Sequence, residues 1–134
     1  MKPTYLLDTD VFSLMVKGQD ESVTARMQTL SKGEAVLSVI TIGEFFYGIA
    51  HAPISALREK RAQRLIDFFG VLPLDAEAAL TYGQVRASLR AKGTPIGPND
   101  LWLAAQAKAA GLVMVTRNTR EFKRVTGLKV EDWS

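Results

Sequence analysis

The sequence predicts an α/β fold, in which a central parallel sheet of four to five strands is covered by helices on both faces. Short apolar runs alternate along the chain with longer segments of helical periodicity. The runs are apolar throughout, as expected for strands covered on both sides, and turn residues bound them. With 134 residues and no internal repeat or linker, the chain is predicted to form one domain over 1–134.

The first half of the chain begins this alternation. Val11 and Leu14 lie at helical spacing after the first apolar run, and Gly18 ends that helix. Asp20 is a typical N-cap residue, and Pro53 separates two later helices. The predicted elements are a strand over 4–7, helices over 10–17 and 20–30, a strand over 35–39, a helix from 41 towards 53 and a helix over 55–69.

The second half follows the same pattern. Asp75 is placed to cap a long helix that Gly93 ends, and the loop GTPIGPN leads into a further helix that ends at Gly111. The predicted elements are a strand over 71–74, helices over 75–91 and 100–110, a strand over 112–115, a helical turn over 121–125 and a short strand over 128–130.

Composition narrows the possible chemistry. The chain has no cysteine and a single histidine, His51. Disulfides, thiolate metal sites and cysteine nucleophiles are therefore excluded, and a structural zinc site is nearly so. Lysine and arginine total 17 against 14 acidic residues, a formal charge of +3 that is compatible with a nucleic-acid partner. Carboxylate chemistry is what remains for catalysis.

The sequence gives no sign of membrane association. No segment reaches the roughly 18 to 20 apolar residues that a membrane span requires. The first ten residues contain an apolar run that is far shorter than the roughly 7 to 15 residues of a secretory signal. We therefore expect a cytoplasmic protein.

Three carboxylates lie in apolar surroundings. Asp8 follows the first predicted strand, Glu44 lies in VITIGEFFYGI just past the second, and Asp100 precedes LWLAAQA. An isolated buried carboxylate is costly unless it is hydrogen-bonded, paired or bound to a metal. Because ligands of parallel α/β sheets bind beyond the carboxyl ends of the strands, we expect the three acids to gather there.

Converging carboxylates favour a bound cation. Without one, mutual repulsion would force at least one of them to take up a proton. Oxygen ligands with open positions suit Mg²⁺ or Mn²⁺, which can activate water for in-line attack on a phosphodiester. The alternative is that each acid serves only as a helix cap or a first-turn residue stabilised by the helix dipole.

Four segments together resemble a known family. LLDTDVFS, SVITIGEFFYG, GTPIGPNDLWLAAQA and VTRNTREFKRVTGLKVEDW resemble, in order and spacing, the motifs of PIN-domain ribonucleases, and most of all the VapC toxins of bacterial toxin–antitoxin pairs. The resemblance covers essentially the whole chain. It implies a PIN-like nuclease domain and a magnesium-dependent endoribonuclease that hydrolyses RNA, with tRNA as one candidate. A cognate VapB-like antitoxin and a homodimer are implied as well.

The resemblance also implies site residues. Asp8, Glu44 and Asp100 match the acidic triad; Asp8 and Asp100 would bind the metal most directly, and Glu44 would complete the set or orient the attacking water. Many PIN domains carry an aspartate where this chain has Asn118, so either Asn118 or Glu121 fills the fourth position. Alternatively, Glu121 is a surface or capping residue.

Residues around these acids receive further assignments. Asp10 replaces an asparagine that is common in VapC-like proteins, and we interpret it as a helix cap in preference to an extra acid. Arg117 and Arg120 flank Asn118 and are candidates for RNA binding. Thr116, at the end of the fourth predicted strand, either hydrogen-bonds a site carboxylate or satisfies its own turn.

Two other functions remain open. The DTD motif also occurs in phosphohydrolases that use an aspartyl nucleophile, although Arg117 stands where an acidic pair would be expected in this chain. A non-catalytic PIN-like module that binds RNA or protein is the second alternative, against which the retention of all three acids argues.

Overall fold

Five short parallel strands form the centre of the molecule, which a computed structural model describes over residues 2–134. The sheet order is β3-β2-β1-β4-β5, and each neighbouring pair is parallel. The predicted parallel sheet is therefore confirmed. The strands are β1 (Tyr5–Leu7), β2 (Ala35–Ser38), β3 (Val71–Leu72), β4 (Val113–Val115) and β5 (Val130–Glu131).

Seven helices connect and flank the strands within residues 2–134. They are α1 (Thr9–Lys17), α2 (Glu21–Thr29), α3 (Val39–His51), α4 (Ala56–Phe69), α5 (Ala76–Ala91), α6 (Pro98–Ala110) and α7 (Thr119–Phe122). Because β1 lies in the middle of the sheet between β2 and β4, the residue that follows it comes out at the centre of the carboxyl edge.

Side-chain caps explain where most helices begin. Asp20, Ser55 and Asp75 accept hydrogen bonds from the backbone of the helices that they precede, as the sequence predicts. The interpretation of Asp10 as a helix cap is wrong. Asp8 caps α1 instead, and Asp10 lies one residue inside the helix, in its first turn.

Several element ends differ from the prediction for local reasons. Helix α3 begins at Val39 because the Ser38 side chain caps it. Helix α6 begins at Pro98, since proline is well suited to the first helical position. Strand β3 ends at Leu72 because Pro73 has no amide proton to donate to a ladder.

The two faces of the sheet support two separate cores. Leu7 and Val115 point to the face that α1, α2 and α4 cover. Leu6 and Met114, one residue earlier on the same strands, point to the face that α5, α6 and α7 cover. This alternation follows from the two-residue period of a strand and explains why the runs are apolar throughout. Helices on both faces are thus confirmed.

A buried glutamine ties α6 to α3 and β3. Gln106 is 2% exposed, and its Oε1 accepts a hydrogen bond from the Ser38 hydroxyl. Its Nε2 donates to the carbonyl oxygens of Leu72 and Pro73, both at 3.2 Å. The Ser38 oxygen in turn accepts from the Ile40 amide at 3.0 Å. Gln106 therefore fixes helix α6 relative to the start of α3.

None of the helices within residues 2–134 combines the length and apolarity needed to cross a bilayer.

Replacing Gln106 by leucine keeps its approximate size but removes its bonds with Ser38, Leu72 and Pro73. We expect Gln106→Leu to lower the free energy of unfolding by about 2 kcal/mol, because buried donors and acceptors lose their partners. Urea denaturation measures the change. Gln84→Leu, at an exposed position of α5, is the matched control and should stay within about 0.5 kcal/mol of the parent. Equal stability of both variants would show that the buried network contributes nothing.

Candidate functional site

Asp8 occupies the centre of the carboxyl edge of the sheet. It follows β1 directly, is 6% exposed, and its backbone amide donates to the Val115 carbonyl at 3.0 Å. Its Oδ1 accepts from the Val11 amide at 2.8 Å, and the Thr116 side chain lowers the pKa of the carboxyl against the effect of burial. Asp8 is thus a helix cap as well as a candidate site acid, and these two roles are compatible.

Glu44 reaches this edge from α3. The Thr9 hydroxyl donates to Glu44 Oε1 at 2.8 Å and lies 3.2 Å from the Thr41 hydroxyl. Because a hydroxyl has one proton, Thr41 is the donor to Thr9. This chain of hydroxyl groups fixes the Glu44 carboxylate beside the start of α1.

Asp100 lies in the first turn of α6, and Glu121 is the acid that raises its pKa most. Glu121 Oε1 accepts from the Gly97 amide at 2.9 Å, which holds the loop before α6 against α7. Asn118 Nδ2 donates to the other Glu121 oxygen. The Glu121 carboxylate therefore influences Asp100, and the Asn118 side chain is a hydrogen-bond donor to Glu121.

The electrostatics of Asp100 show that four acids share one region. Its pKa is raised from 3.8 to about 6, first by burial and then by the negative charges of Glu121, Asp8 and Glu44. The pKa of Asp8 is also raised to about 6 by burial, although its hydrogen bonds with Thr116 and Val11 oppose the shift. The gathering of the acids at the sheet edge stays a prediction, which these mutual effects on pKa support.

The two arginines predicted to bind RNA differ in their surroundings. Arg117 Nε donates to Asp10 Oδ2 at 2.7 Å, so Asp10 forms an exposed ion pair rather than joining the site acids. Arg120 is exposed at the start of α7. Both remain at the rim of the acidic region.

The four acids suit a hard divalent cation by their chemistry. Within residues 2–134, Asp8, Glu44, Asp100 and Glu121 form no ion pair with lysine or arginine, although the charge of Arg117 lowers the pKa of Asp8. Among these residues, no group of three or more histidine or acidic side chains is placed so that it could hold a metal ion together. Mg²⁺ commonly uses only one or two protein carboxylates and keeps several waters, so the residues present fit it.

Sequence reasoning missed the hydroxyl groups that orient the acids. Thr9 lies between two aspartates, and Thr41 is fully buried near the start of α3. Both could have been found in the sequence, because each is a threonine within three residues of a predicted site acid. For Thr116, the structure confirms the turn role, because its oxygen accepts from the Asn118 amide at 2.9 Å. Thr116 also lowers the pKa of Asp8, against the effect of burial.

An open cleft lies next to the acids. It has a volume of about 540 Å³ and is lined by Val39, Ile40, Gly43, Glu44, Tyr47 and Asn99. Glu44 lies on its wall, and Asn99 precedes Asp100 in α6. A polymer can therefore approach the carboxylates from solvent without any movement of the core.

Comparison with known proteins identifies the family. The PIN domain family matches residues 5–128. The chain belongs to the PIN-domain family. The resemblance seen in the sequence motifs is thereby confirmed over nearly the whole chain.

Relatives of this PIN domain are similar over their full length. The tRNA(fMet)-specific endonuclease VapC of Shigella flexneri is 38% identical over 130 residues, covering 97% of this chain and 98% of that protein. Ribonuclease VapC2 of Haemophilus influenzae (strain Rd) is 33% identical over 132 residues, covering 96% and 97%.

Solved structures agree in fold. The DNA-bound VapBC of Salmonella typhimurium matches with a TM-score of 0.82 at 37% identity and covers 98% of this chain and 99% of that one. VapBC2 of Rickettsia felis, bound to a promoter DNA fragment, matches with a TM-score of 0.88 at 27% identity and the same coverage.

The raised carboxylate pKa values predict an unusual pH dependence of stability. The folded protein holds the Asp100 proton more tightly than the unfolded chain does, so stability falls as the pH rises from about 4 to about 6. Without divalent cations at about pH 7.5, Asp100→Asn should raise the free energy of unfolding by about 1 kcal/mol, a value reduced for solvent screening. The gain should shrink towards zero by about pH 4.

Urea denaturation across this pH range measures the effect. Glu77→Gln, which removes an exposed acid on α5, is the matched control and should show no such gain. A destabilised Asp100→Asn protein at about pH 7.5 would contradict the repulsion inferred among the site acids.

Proposed function

We propose that this protein is a divalent-metal-dependent endoribonuclease that acts as the toxin of a toxin–antitoxin pair. The observation that carries the proposal is the raised pKa of Asp100, to which burial and the negative charges of Glu121, Asp8 and Glu44 contribute, while none of these acids forms an ion pair. Membership of the PIN family and the ribonuclease names of its relatives support this reaction class.

Asp8 and Asp100 are the most direct ligands for Mg²⁺ or Mn²⁺ in this proposal, and Glu44 completes the set or orients the attacking water. A bound cation would lower the pKa of water and offset the charge that develops on the phosphate. The chain itself keeps Asp8 fixed through its cap bond and Glu44 fixed through Thr9. The products would carry 5′-phosphate and 3′-hydroxyl ends.

Glu121 is our choice for the fourth acidic position. Of the neighbouring acids, Glu121 raises the pKa of Asp100 most. Asn118 donates a hydrogen bond to one of the Glu121 carboxylate oxygens, and the Gly97 amide donates to the other. Asn118 is thus a positioning residue. Arg117 and Arg120 would contact RNA phosphates at the rim.

The substrate class is single-stranded or loop RNA, with tRNA as the leading candidate. Relatives from Shigella flexneri and Salmonella typhimurium, at 38% and 36% identity, are named tRNA(fMet)-specific endonucleases. Recognition of a particular base depends on surface contacts, which the names of relatives do not specify. Sequencing the cleavage products would therefore identify the target RNA and the cleavage position. Such a substrate places the activity in the cytoplasm.

A VapB-like antitoxin is the proposed partner, because several structural neighbours are VapBC complexes. A homodimer is proposed as well. Several large apolar side chains are exposed on α3, α4 and α5, and such side chains favour contact with other protein chains. They are Phe46, Tyr47, Leu57 and Leu80.

The aspartyl-nucleophile alternative is disfavoured by Asp10. In such enzymes the second aspartate of DTD acts as the acid or base, but here it is bound to Arg117 at 2.7 Å. The non-catalytic alternative predicts neither metal binding nor cleavage at any metal concentration.

Removing a site acid should abolish activity. We expect Asp8→Ala and Asp100→Ala to reduce RNA cleavage by about a hundredfold or more, because the charge that holds the cation is lost. Asp8→Ala also removes a helix cap, at a cost of about 1 kcal/mol. Asp8→Asn keeps that cap and separates catalysis from folding. Cleavage of labelled RNA with Mg²⁺ or Mn²⁺ measures the rates.

Asp67→Asn, at an exposed position of α4, is the control and should cleave like the parent. Glu121→Gln should lower the rate as strongly as the other acids if Glu121 fills the fourth position. Full cleavage by both alanine variants would refute the proposed function.

A further inference from the structure

A second groove lies on the other side of the loop that leads to Asp100. It runs between α5, the loop over 94–97 and the first turn of α6, with a volume of about 410 Å³. We name it the α5 groove. Its lining residues include Tyr82, Arg86, Arg90, Pro95, Ile96 and Pro98. The volume falls in the range of about 300–1,000 Å³ that is typical of small-ligand sites.

The rim of the α5 groove is positively charged. Arg86 and Arg90 lie one helical turn apart on α5, and neither forms an ion pair in the part of the chain from residue 2 to residue 134. Arg124, from the segment after α7, donates to the Pro95 carbonyl at 2.9 Å. Cations therefore flank the groove without carboxylates to neutralise them.

One of these arginines is held in place by an aromatic residue. Arg86 donates to the Tyr82 hydroxyl at 3.1 Å, and its guanidinium carbon lies 6.0 Å from the Tyr82 ring centroid. The Tyr82 ring is itself stacked on Trp102, with centroids 3.8 Å apart and an angle of 17° between the planes. This arrangement limits the freedom that Arg86 would lose on binding an anion.

The floor of the groove is apolar. Pro95, Ile96 and Pro98 form one wall, and Tyr82 and Leu89 of α5 contribute to the other. Arginines above an apolar and aromatic floor match the two parts of a nucleotide, because phosphate binds the cations and the base packs against flat side chains. An acidic peptide would satisfy the charges but would leave this floor uncovered.

The α5 groove and the acidic site lie on opposite sides of the loop that precedes α6. Pro98 lines the groove and lies two residues before Asp100, about 3 Å along the helix axis. The loop between them is held against α7 by the bond from Gly97 to Glu121. A strand that passes the carboxylates therefore reaches the groove by crossing one fixed loop.

We propose that the α5 groove binds the single-stranded RNA next to the cleaved phosphodiester, with Arg86 and Arg90 on its phosphates and a base over Pro95 and Ile96. This assignment rests on the proposed function, since it names a substrate contact of the same site. It predicts that the groove contributes to RNA affinity and not to the chemical step.

The test is the double substitution Arg86→Gln/Arg90→Gln in the full chain. Fluorescence anisotropy with a short labelled single-stranded RNA in EDTA measures binding without cleavage. We expect affinity to fall by about tenfold. The slope of log affinity against log salt should fall by about 1.4, since each single-strand phosphate contact contributes about 0.7. Arg86→Lys/Arg90→Lys should restore most of the affinity.

Cleavage kinetics on the same RNA provide an independent measurement. The double glutamine variant should raise KM by about the same factor as it weakens binding and leave kcat within about twofold. The matched control is Lys60→Gln/Arg64→Gln, which removes two exposed cations at the same spacing on α4. It should change neither binding nor KM appreciably.

Three results would overturn the proposal. These are unchanged RNA binding by the groove variant, an equal loss in the α4 control, and loss of antitoxin binding by the groove variant while RNA binding stays intact. RNA binding through the groove by a wild-type protein that cleaves no RNA would refute the endoribonuclease function alone. Unchanged KM together with unchanged RNA binding in the groove variant would refute the groove alone.

Discussion

The burial of uncompensated negative charge at the carboxyl edge of the sheet is the constraint on which the rest of the structure depends. Asp8 is placed there by the central strand and is held by its cap bond to Val11. Its pKa and that of Asp100 are both raised to about 6. Keeping these acids together lowers the free energy of unfolding. Such a cost is expected at a site whose residues are arranged to bind a ligand.

Rigid elements position each acid through hydrogen bonds of their own. Glu44 is fixed by Thr9, Glu121 by Asn118 and Gly97, and α6 by the contacts of Gln106 with Ser38 and β3. These bonds reach across α1, α3, α6 and α7. Helices from both faces of the sheet therefore contribute to one site, and the two apolar cores beneath it maintain their relative positions.

Much of this arrangement was predictable from the sequence. The sheet follows from apolar runs, and Asp8, Glu44 and Asp100 stand out because they are acids in apolar segments. The choice between Asn118 and Glu121 depends on side-chain orientation, which no motif records. The partner of Asp10 is Arg117, which is 107 residues away in sequence, so local capping rules misassigned it. Gln106 was overlooked because its partners, at the ends of β2 and β3, are distant from it in sequence.

Metal titration tests the central claim most directly, since the acids are proposed to converge in order to hold a divalent cation. Isothermal calorimetry with Mn²⁺ on the wild-type protein at about pH 6, where the raised carboxyls are about half protonated, should show saturable binding, proton release from them, and loss of both in Asp100→Asn. Absence of binding together with undiminished RNA cleavage in EDTA would contradict the account.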